Sequence, residues 1–311
     1  MPDNGAVLVT GGVGAIGAQT AKALADLGRA VVVTSHRRAD VPSFLAGRVT
    51  VEPLDTTDAA AFLALGNRHR ITDLVHLAGS IPADDPVAFF RNDLAGLLNA
   101  LDAARTWGVR RFAVASSIGN YIGRPEIPWH EELAIPATDV PMAIIALNKA
   151  VEPLTTHSLQ GTGIQPILLR IGSVWGPLMD PESPFNQMPP YISAVLRGET
   201  PKPLYADDGG DSCYAADAGR AIALLTVAED LPHTIYNVSS GRPVYNHELV
   251  EAVRALRPDA QLDLLPGRAD GPGEDPYLDI TRLTNDTGFT PQYDPAKAVA
   301  DYVAWRADNA R

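Results

Sequence analysis

The chain has 311 residues, 46% of them hydrophobic, with 25 Lys and Arg against 37 Asp and Glu for a formal charge of -12. That size and apolar fraction suit a large α/β core, as one domain or two unequal lobes. The acidic balance argues against nucleic acid and against an anionic membrane surface, both of which need clustered Lys and Arg.

One cysteine, Cys213, excludes an intrachain disulfide and suits a reducing compartment. The opening "MPDNGAVLVTGG" lacks the basic and apolar stretches of a signal peptide. No run approaches the roughly 20 apolar residues that span a bilayer. A soluble, cytoplasmic protein is expected.

"AVLVT" (6–10) is a near-continuous apolar run, as expected of a parallel strand covered on both faces. "GAIGAQTAKALADLG" reads as a helix, with Ile16, Thr20, Leu24 and Leu27 near one stripe and Gly28 as its stop. Further strands follow in "AVVVT" (30–34), "VTVEPL", "TDLVHLAG", "VRRFAVASS" and "IQPILLRIG", with helices over 57–65 and 87–107. Alternating β and α units call for a parallel sheet with right-handed crossovers. After Gly172 the chain turns Pro-rich (174–190), then mixes short helices (216–227, 246–256, 295–305) with strand pieces such as "TIYNVSS"; "RADGPGEDP" (268–276) reads as a mobile loop. The expected fold is α/β, a doubly wound parallel Rossmann sheet over 1–172. A smaller substrate lobe over 173–311 follows, with some segments returning to the sheet.

"LVTGGVGAIG" places glycines at 11, 12, 14 and 17, directly after a strand and opening a helix. Gly11, Gly14 and Gly17 let the backbone turn sharply and approach a pyrophosphate, which the helix N-terminus favours. An NAD site usually has an acid after the second strand. Here the chain reads Thr34, Ser35, His36, Arg37, Arg38, with no acid before Asp40. Ser35, Arg37 and Arg38 suit a 2′-phosphate, so NADP is expected and NAD stays possible. Asp55 falls where a carboxylate can reach the adenine amino group, and Ala78 and Gly79 leave room beside the middle of the cofactor.

With these segments in hand, the chain resembles the extended short-chain dehydrogenase/reductase family, which includes nucleotide-sugar epimerases and dehydratases. The resemblance rests on "TGGVGAIG", Asp55 in "LDTTD", "VHLAG", Asn92 in "FRNDLAGLLNALDAA", Ser116 and Ser117 in "VASS", Lys149, "RIGSVWGP", Asp217 and "YNVSSGRPV", spanning about 6–308. It implies that Ser117 hydrogen-bonds the reacting oxygen. It implies that Lys149 binds the nicotinamide ribose and lowers the pKa of a neighbouring acid, and that Asn92 steadies the central helix. Hydride transfer needs a proton donor or acceptor at that oxygen.

The family pattern Tyr-x-x-x-Lys, with both side chains on one helix face, reads Ile145 and Lys149 here, and Lys149 is the only Lys from 140 to 160. Three accounts follow. Tyr121, His130, Tyr214 or Cys213 supplies the proton; or a water or substrate group does, with Ser117 and Lys149 giving the electrostatics; or the chain is a catalytically inactive NADP-binding sensor or scaffold. The Asp-Glu pair that dehydratases carry after the Ser/Thr is replaced by Ile118 and Gly119.

The expected activity is that of an oxidoreductase or epimerase/isomerase on a small organic or sugar-like substrate, without a metal. The substrate is placed among 173–214 and around Arg242, with Trp175 as a stacking surface or wall. Between 173 and 215 the only cations are Arg197 and Lys202, with Arg170 and Arg242 flanking, which is thin for a diphosphate. The helices at 87–107 and 142–160 carry many apolar residues, and the resemblance implies that they pair across a two-fold axis into a four-helix bundle, so a homodimer is expected.

Overall fold

The computed structural model describes residues 5–36, 40–82, 85–183, 186–271 and 273–311. In chain order the first half comprises β1 (Ala6–Thr10), α1 (Ala15–Asp26), β2 (Val31–Ser35), β3 (Thr50–Pro53), α2 (Ala59–Arg68), β4 (Ile71–His76), α3 (Pro86–Trp107), β5 (Arg111–Ser117), α4 (Ala143–Leu159) and β6 (Gln165–Ile171). The second half comprises β7 (Val174–Trp175), α5 (Met188–Leu196), β8 (Leu204–Tyr205), β9 (Gly209–Asp211), β10 (Cys213–Tyr214), α6 (Ala215–Val227), β11 (Ile235–Val238), β12 (Pro243–Tyr245), α7 (Asn246–Leu256), β13 (Leu264–Leu265), α8 (Thr281–Thr287) and α9 (Pro295–Asp308).

A seven-stranded sheet runs in the order β11-β6-β5-β4-β1-β2-β3, and its pairings are parallel. The expected doubly wound Rossmann fold is therefore present. Successive strand residues feed opposite cores. Val7, Val9, Val31, Val33, Ile167 and Leu169 pack under α1 and α6, while Leu8, Val32, Leu74, Phe112 and Leu168 pack under α2, α3 and α4. This period of two, with both faces apolar, is why the strands read as unbroken hydrophobic runs. Each fully buried Val, Leu or Phe contributes about 1.5–3 kcal/mol.

Helix ends follow local chemistry. Asp58 and Asp85 accept hydrogen bonds from the first-turn amides of α2 and α3, and α3 stops at Gly108 in the left-handed conformation. At the far end of α6, Arg110 and Arg111 donate to the carbonyls of Leu225, Thr226 and Ala228, the favourable placing of cations at a helix C-terminus.

Residues beyond 172 return to the sheet twice. "TIYNVSS" supplies its edge strand β11, and α6 lies so close to α1 that a Cβ on Gly219 would sit 2.4 Å from the Gln19 carbonyl carbon. The remaining elements build a third core around Trp175, Tyr191, Val250 and Tyr302. The 268–276 segment, read above as mobile, has its ends clamped by a double hydrogen bond from Arg268 to Asp275. Among the described residues no helix is long and apolar enough to cross a membrane.

Candidate functional site

β1 and β4 are neighbours at the centre of the sheet, and from them the chain winds outward in opposite directions. In open α/β sheets the ligand crevice lies beyond the strand ends at such a crossover. Here the two ends are locked together. The Thr10 hydroxyl accepts from the amides of Leu77 and Ala78 and bonds the Nδ1 of His76 at 2.9 Å. Burial pushes the pKa of His76 down to about 4, against the opposing pull of Asp93, so the ring is neutral near pH 7.

Gly11 turns the chain at φ +66°, where a Cβ would sit 3.0 Å from the Ala78 backbone. This is a close approach that only glycine makes without strain. Gly14 is the N-cap of α1, and no side chain caps that helix. Its first amides therefore lack a capping side chain, and its N-cap residue lines the crevice. Gly17 lies beneath the turn: its Cβ would be 2.2 Å from the Gly11 carbonyl oxygen.

A cleft of about 540 Å³ opens above this turn, lined by Gly11, Gly14, Ser35, Asp55, Ala78, Gly79 and Asn92, all anticipated from sequence, and by His36, Ser80 and Asp93, which were not. The Asp55 carboxylate is oriented by the amide and hydroxyl of Thr57, with His36 Nε2 3.5 Å from its other oxygen. Asp93 accepts from the Ser80 amide and hydroxyl and from the Asn92 amide group. Arg37 and Arg38 lie outside the described residues. The cradle fits a dinucleotide, with glycines where any Cβ would intrude, open helix amides for a diphosphate, and a fixed carboxylate at the β3 end.

The residues expected to carry chemistry are placed less favourably. Ser117 ends β5, and its hydroxyl accepts from the Gly119 amide at 3.0 Å. Ile145 is 2% exposed and packs beside Gly119, its Cγ1 3.1 Å from where a Cβ there would lie. The Lys149 ammonium, expected at the ribose, instead donates to the carbonyls of Pro136 and Asp139, in the segment leading into α4. Neither Ser117 nor Lys149 lines the cleft.

Tyr121, one of the candidate proton donors, is fully buried. Its hydroxyl donates to Asn237 and accepts from Arg170, both at 2.8 Å, its ring stacks on Trp129, and burial pushes its pKa up to about 12. His130 sits at the surface, 3.1 Å from Glu132. Tyr214 donates to Asp301, and the Cys213 thiol is buried and pushed up in pKa by that burial.

Beneath these residues lies a buried network that the sequence reading missed. Glu152 and Arg170 form a double hydrogen bond at 2.9 and 2.8 Å with both side chains buried, and Glu152 also accepts from Ser116 and Asn120. Arg170 continues to the Glu131 carbonyl, and the Glu131 carboxylate accepts from the Asn237 amide. An acid within an apolar helix and an arginine within "ILLRIG" were the available signal, since buried charges need partners.

A larger cavity of about 830 Å³ lies against the third core. Ser173, Gln187, Tyr191, Arg197, Lys202, Asp211, Ser212 and Asn246 are among its lining residues. The Asp211 carboxylate accepts from Ser173, Ser239 and Leu278, and desolvation raises its pKa. Trp175 is not a stacking surface here: it is 2% exposed, donates to Ser212, and packs edge-on against Tyr214 and Tyr302. Arg242 is held by Glu248.

The family profile of the "NAD dependent epimerase/dehydratase family" matches residues 7–239. Among curated relatives, the UDP-glucose 4-epimerase of Yersinia enterocolitica is 25% identical, over 77% of this chain and 76% of its own length. The dTDP-glucose 4,6-dehydratase of Streptomyces niveus is 26% identical, over 76% and 70%. Among solved structures, the UDP-glucose 4-epimerase of Thermus thermophilus in complex with NAD aligns with TM-score 0.79 and 25% identity, over 97% of this chain and 99% of that one. The UDP-N-acetylglucosamine 4-epimerase of Methanobrevibacter ruminantium M1, in complex with UDP-N-acetylmuramic acid, aligns with TM-score 0.81 and 23% identity, over 99% of each chain. With a seven-stranded parallel sheet and a glycine-lined crevice at its crossover, the chain belongs to the NAD-dependent epimerase/dehydratase family of extended short-chain dehydrogenases/reductases.

Proposed function

We propose that the chain binds a nicotinamide dinucleotide, NADP before NAD, in the cleft beyond β1 and β4. There it acts as an oxidoreductase or epimerase/isomerase on a small organic or sugar-like molecule. The observation that carries this reading is the convergence of Gly11, Gly14, Asp55, Ala78, Gly79 and Asn92 on one cleft. When bound, the nicotinamide ring supplies hydride acceptance or donation. The helix amides beyond Gly14 hold the diphosphate, Asp55 orients the adenosine end, and Ser35 and His36 face its ribose. Ser35 at the end of β2, where an NAD site carries an acid, supports NADP. The NAD in the Thermus thermophilus structure supports NAD as the alternative.

Ser117 is the group assigned to the reacting oxygen. Ile145 beside it moves no proton, so the proton passes to water or to a group of the substrate, and the Lys149 charge acts only from the Pro136–Asp139 loop. That same geometry favours a second reading, a catalytically inactive NADP-binding sensor or scaffold. Exposed Val87 and Leu98 on α3 and Leu154 on α4 support a homodimer through those helices.

Turnover separates the two readings. With NADPH or NADH and a panel of carbonyl and sugar substrates, loss of activity in Ser117→Ala with dinucleotide binding intact supports the enzyme. Background turnover in wild type and Ser117→Ala alike, together with carbonyl reduction gained by Ile145→Tyr, supports the inactive binder.

A further inference from the structure

The larger cavity has the size of a substrate pocket, but its electrostatics do not match the nucleotide-linked sugars named for the relatives. Its guanidinium, Arg197, is already taken. Nε and Nη2 donate to Glu199 at 3.0 and 2.8 Å, and Nη1 donates to Glu182 at 3.0 Å. Two carboxylates around one guanidinium leave a net negative cluster, of which Arg197 and Glu182 line the cavity. Lys202 is the other cation in the lining.

An adjoining depression shares Gln187, Gly209 and Asn246 with the cavity and adds Asp208, Asp270 and Glu274. Its own arginine, Arg268, is bound to Asp275. Across the two depressions carboxylates therefore outnumber cations, on a chain whose formal charge is already -12. A diphosphate needs charge-assisted hydrogen bonds to replace its hydration. Even if it displaced Glu182 and Glu199 from Arg197, those two carboxylates would remain beside it as like charges.

Beside Lys202 and these carboxylates the wall offers neutral hydrogen-bonding groups. The Ser173 hydroxyl accepts from Asn186 and the Ser212 hydroxyl accepts from Trp175, so each keeps its own proton to donate. Gln187 spends one amide hydrogen on Asn246 and keeps its carbonyl oxygen.

We infer that this cavity takes a polar substrate without a diphosphate, uncharged or cationic, and that Glu182 and Glu199 exclude nucleotide-linked sugars by occupying Arg197. The inference rests on the enzyme reading above for the word substrate, but the charge argument stands on the cavity alone.

Calorimetry on the full chain with saturating NADP, using UDP and UDP-glucose as probes, tests it. The wild type should bind both with Kd weaker than about 1 mM. The double variant Glu182→Gln/Glu199→Gln frees the guanidinium and should bind UDP about tenfold tighter or better, a gain abolished by adding Arg197→Gln. Micromolar binding of either probe by the wild type would overturn the inference. So would a double variant with unchanged melting temperature and no gain. NADPH binding measured on the same samples keeps the two ideas apart. A chain that binds no dinucleotide fails the proposed function, whereas the UDP comparison judges the cavity by itself.

Discussion

Gly17→Ala is the sharpest perturbation of the dinucleotide cradle, because it adds one methyl group beneath the turn rather than within the cleft. The new Cβ would lie 2.2 Å from the Gly11 carbonyl oxygen, 2.8 Å from its carbon and 2.9 Å from Gly12 Cα. These are backbone atoms and cannot rotate away, so α1 and the turn must separate by about 1 Å to restore ordinary contact. Overpacking of this kind costs about 1–3 kcal/mol. For 311 residues that lowers the melting temperature by about 2–5 °C. The same displacement moves the helix amides off the diphosphate, and losing one or two charge-assisted hydrogen bonds weakens binding by about 10- to 100-fold.

Gly28→Ala is the matched control. Its φ is positive, at +76°, but nothing lies within 4 Å of its Cβ, so it carries only backbone strain of about 1–2 kcal/mol. Thermal melting and NADPH titration of both variants give the comparison: similar stability losses, but weakened binding in Gly17→Ala alone. Unchanged NADPH affinity in a folded, destabilised Gly17→Ala would refute the cradle geometry.

Glu152→Gln leaves Arg170 buried without its counter-charge and should lower unfolding free energy by about 3–5 kcal/mol, seen as a shifted urea midpoint at constant slope; a change below about 1 kcal/mol would contradict this. Tyr121→Phe strands Asn237 and should cost about 1–3 kcal/mol with dinucleotide affinity unchanged; an effect on turnover out of proportion to stability would return Tyr121 to the chemistry. His76 has its folded pKa depressed to about 4 from 6.5, so the unfolded chain binds the extra proton between those values. Its contribution is full above pH 6.5 and is lost as pH falls towards 4, up to about 3 kcal/mol. Denaturant titrations should show that slope in wild type and a flatter one in His76→Gln; equal slopes would remove His76 as its source.

The sheet was legible because doubly covered parallel strands read as apolar runs and the glycine turn has few alternative uses after a strand. Boundaries moved by a few residues at most: α1 and β11 were placed by pattern, and only the membership of β11 in the main sheet needed tertiary pairing. The catalytic side was less legible for a geometric reason. Spacing of four puts Ile145 and Lys149 on one face, yet a lysine stem reaches far enough to leave that face for the Pro136 and Asp139 carbonyls. Tyr121 could be read as a proton donor or as a packing residue, because a tyrosine after a strand end reveals nothing about what folds over it. Here Trp129 and Arg170 do so, from 8 and 49 residues away in sequence. The Ser80–Asp93 and Glu182–Arg197–Glu199 clusters depend likewise on loops whose meeting no periodicity encodes.

The most direct test is fluorescence titration of the purified full chain with NADPH and, separately, NADH. Saturable one-site binding is expected, tighter for NADPH, with competition by the oxidised form. No saturable signal with either nucleotide, from protein that melts cooperatively, would contradict the assignment of the β1–β4 crevice as a dinucleotide site.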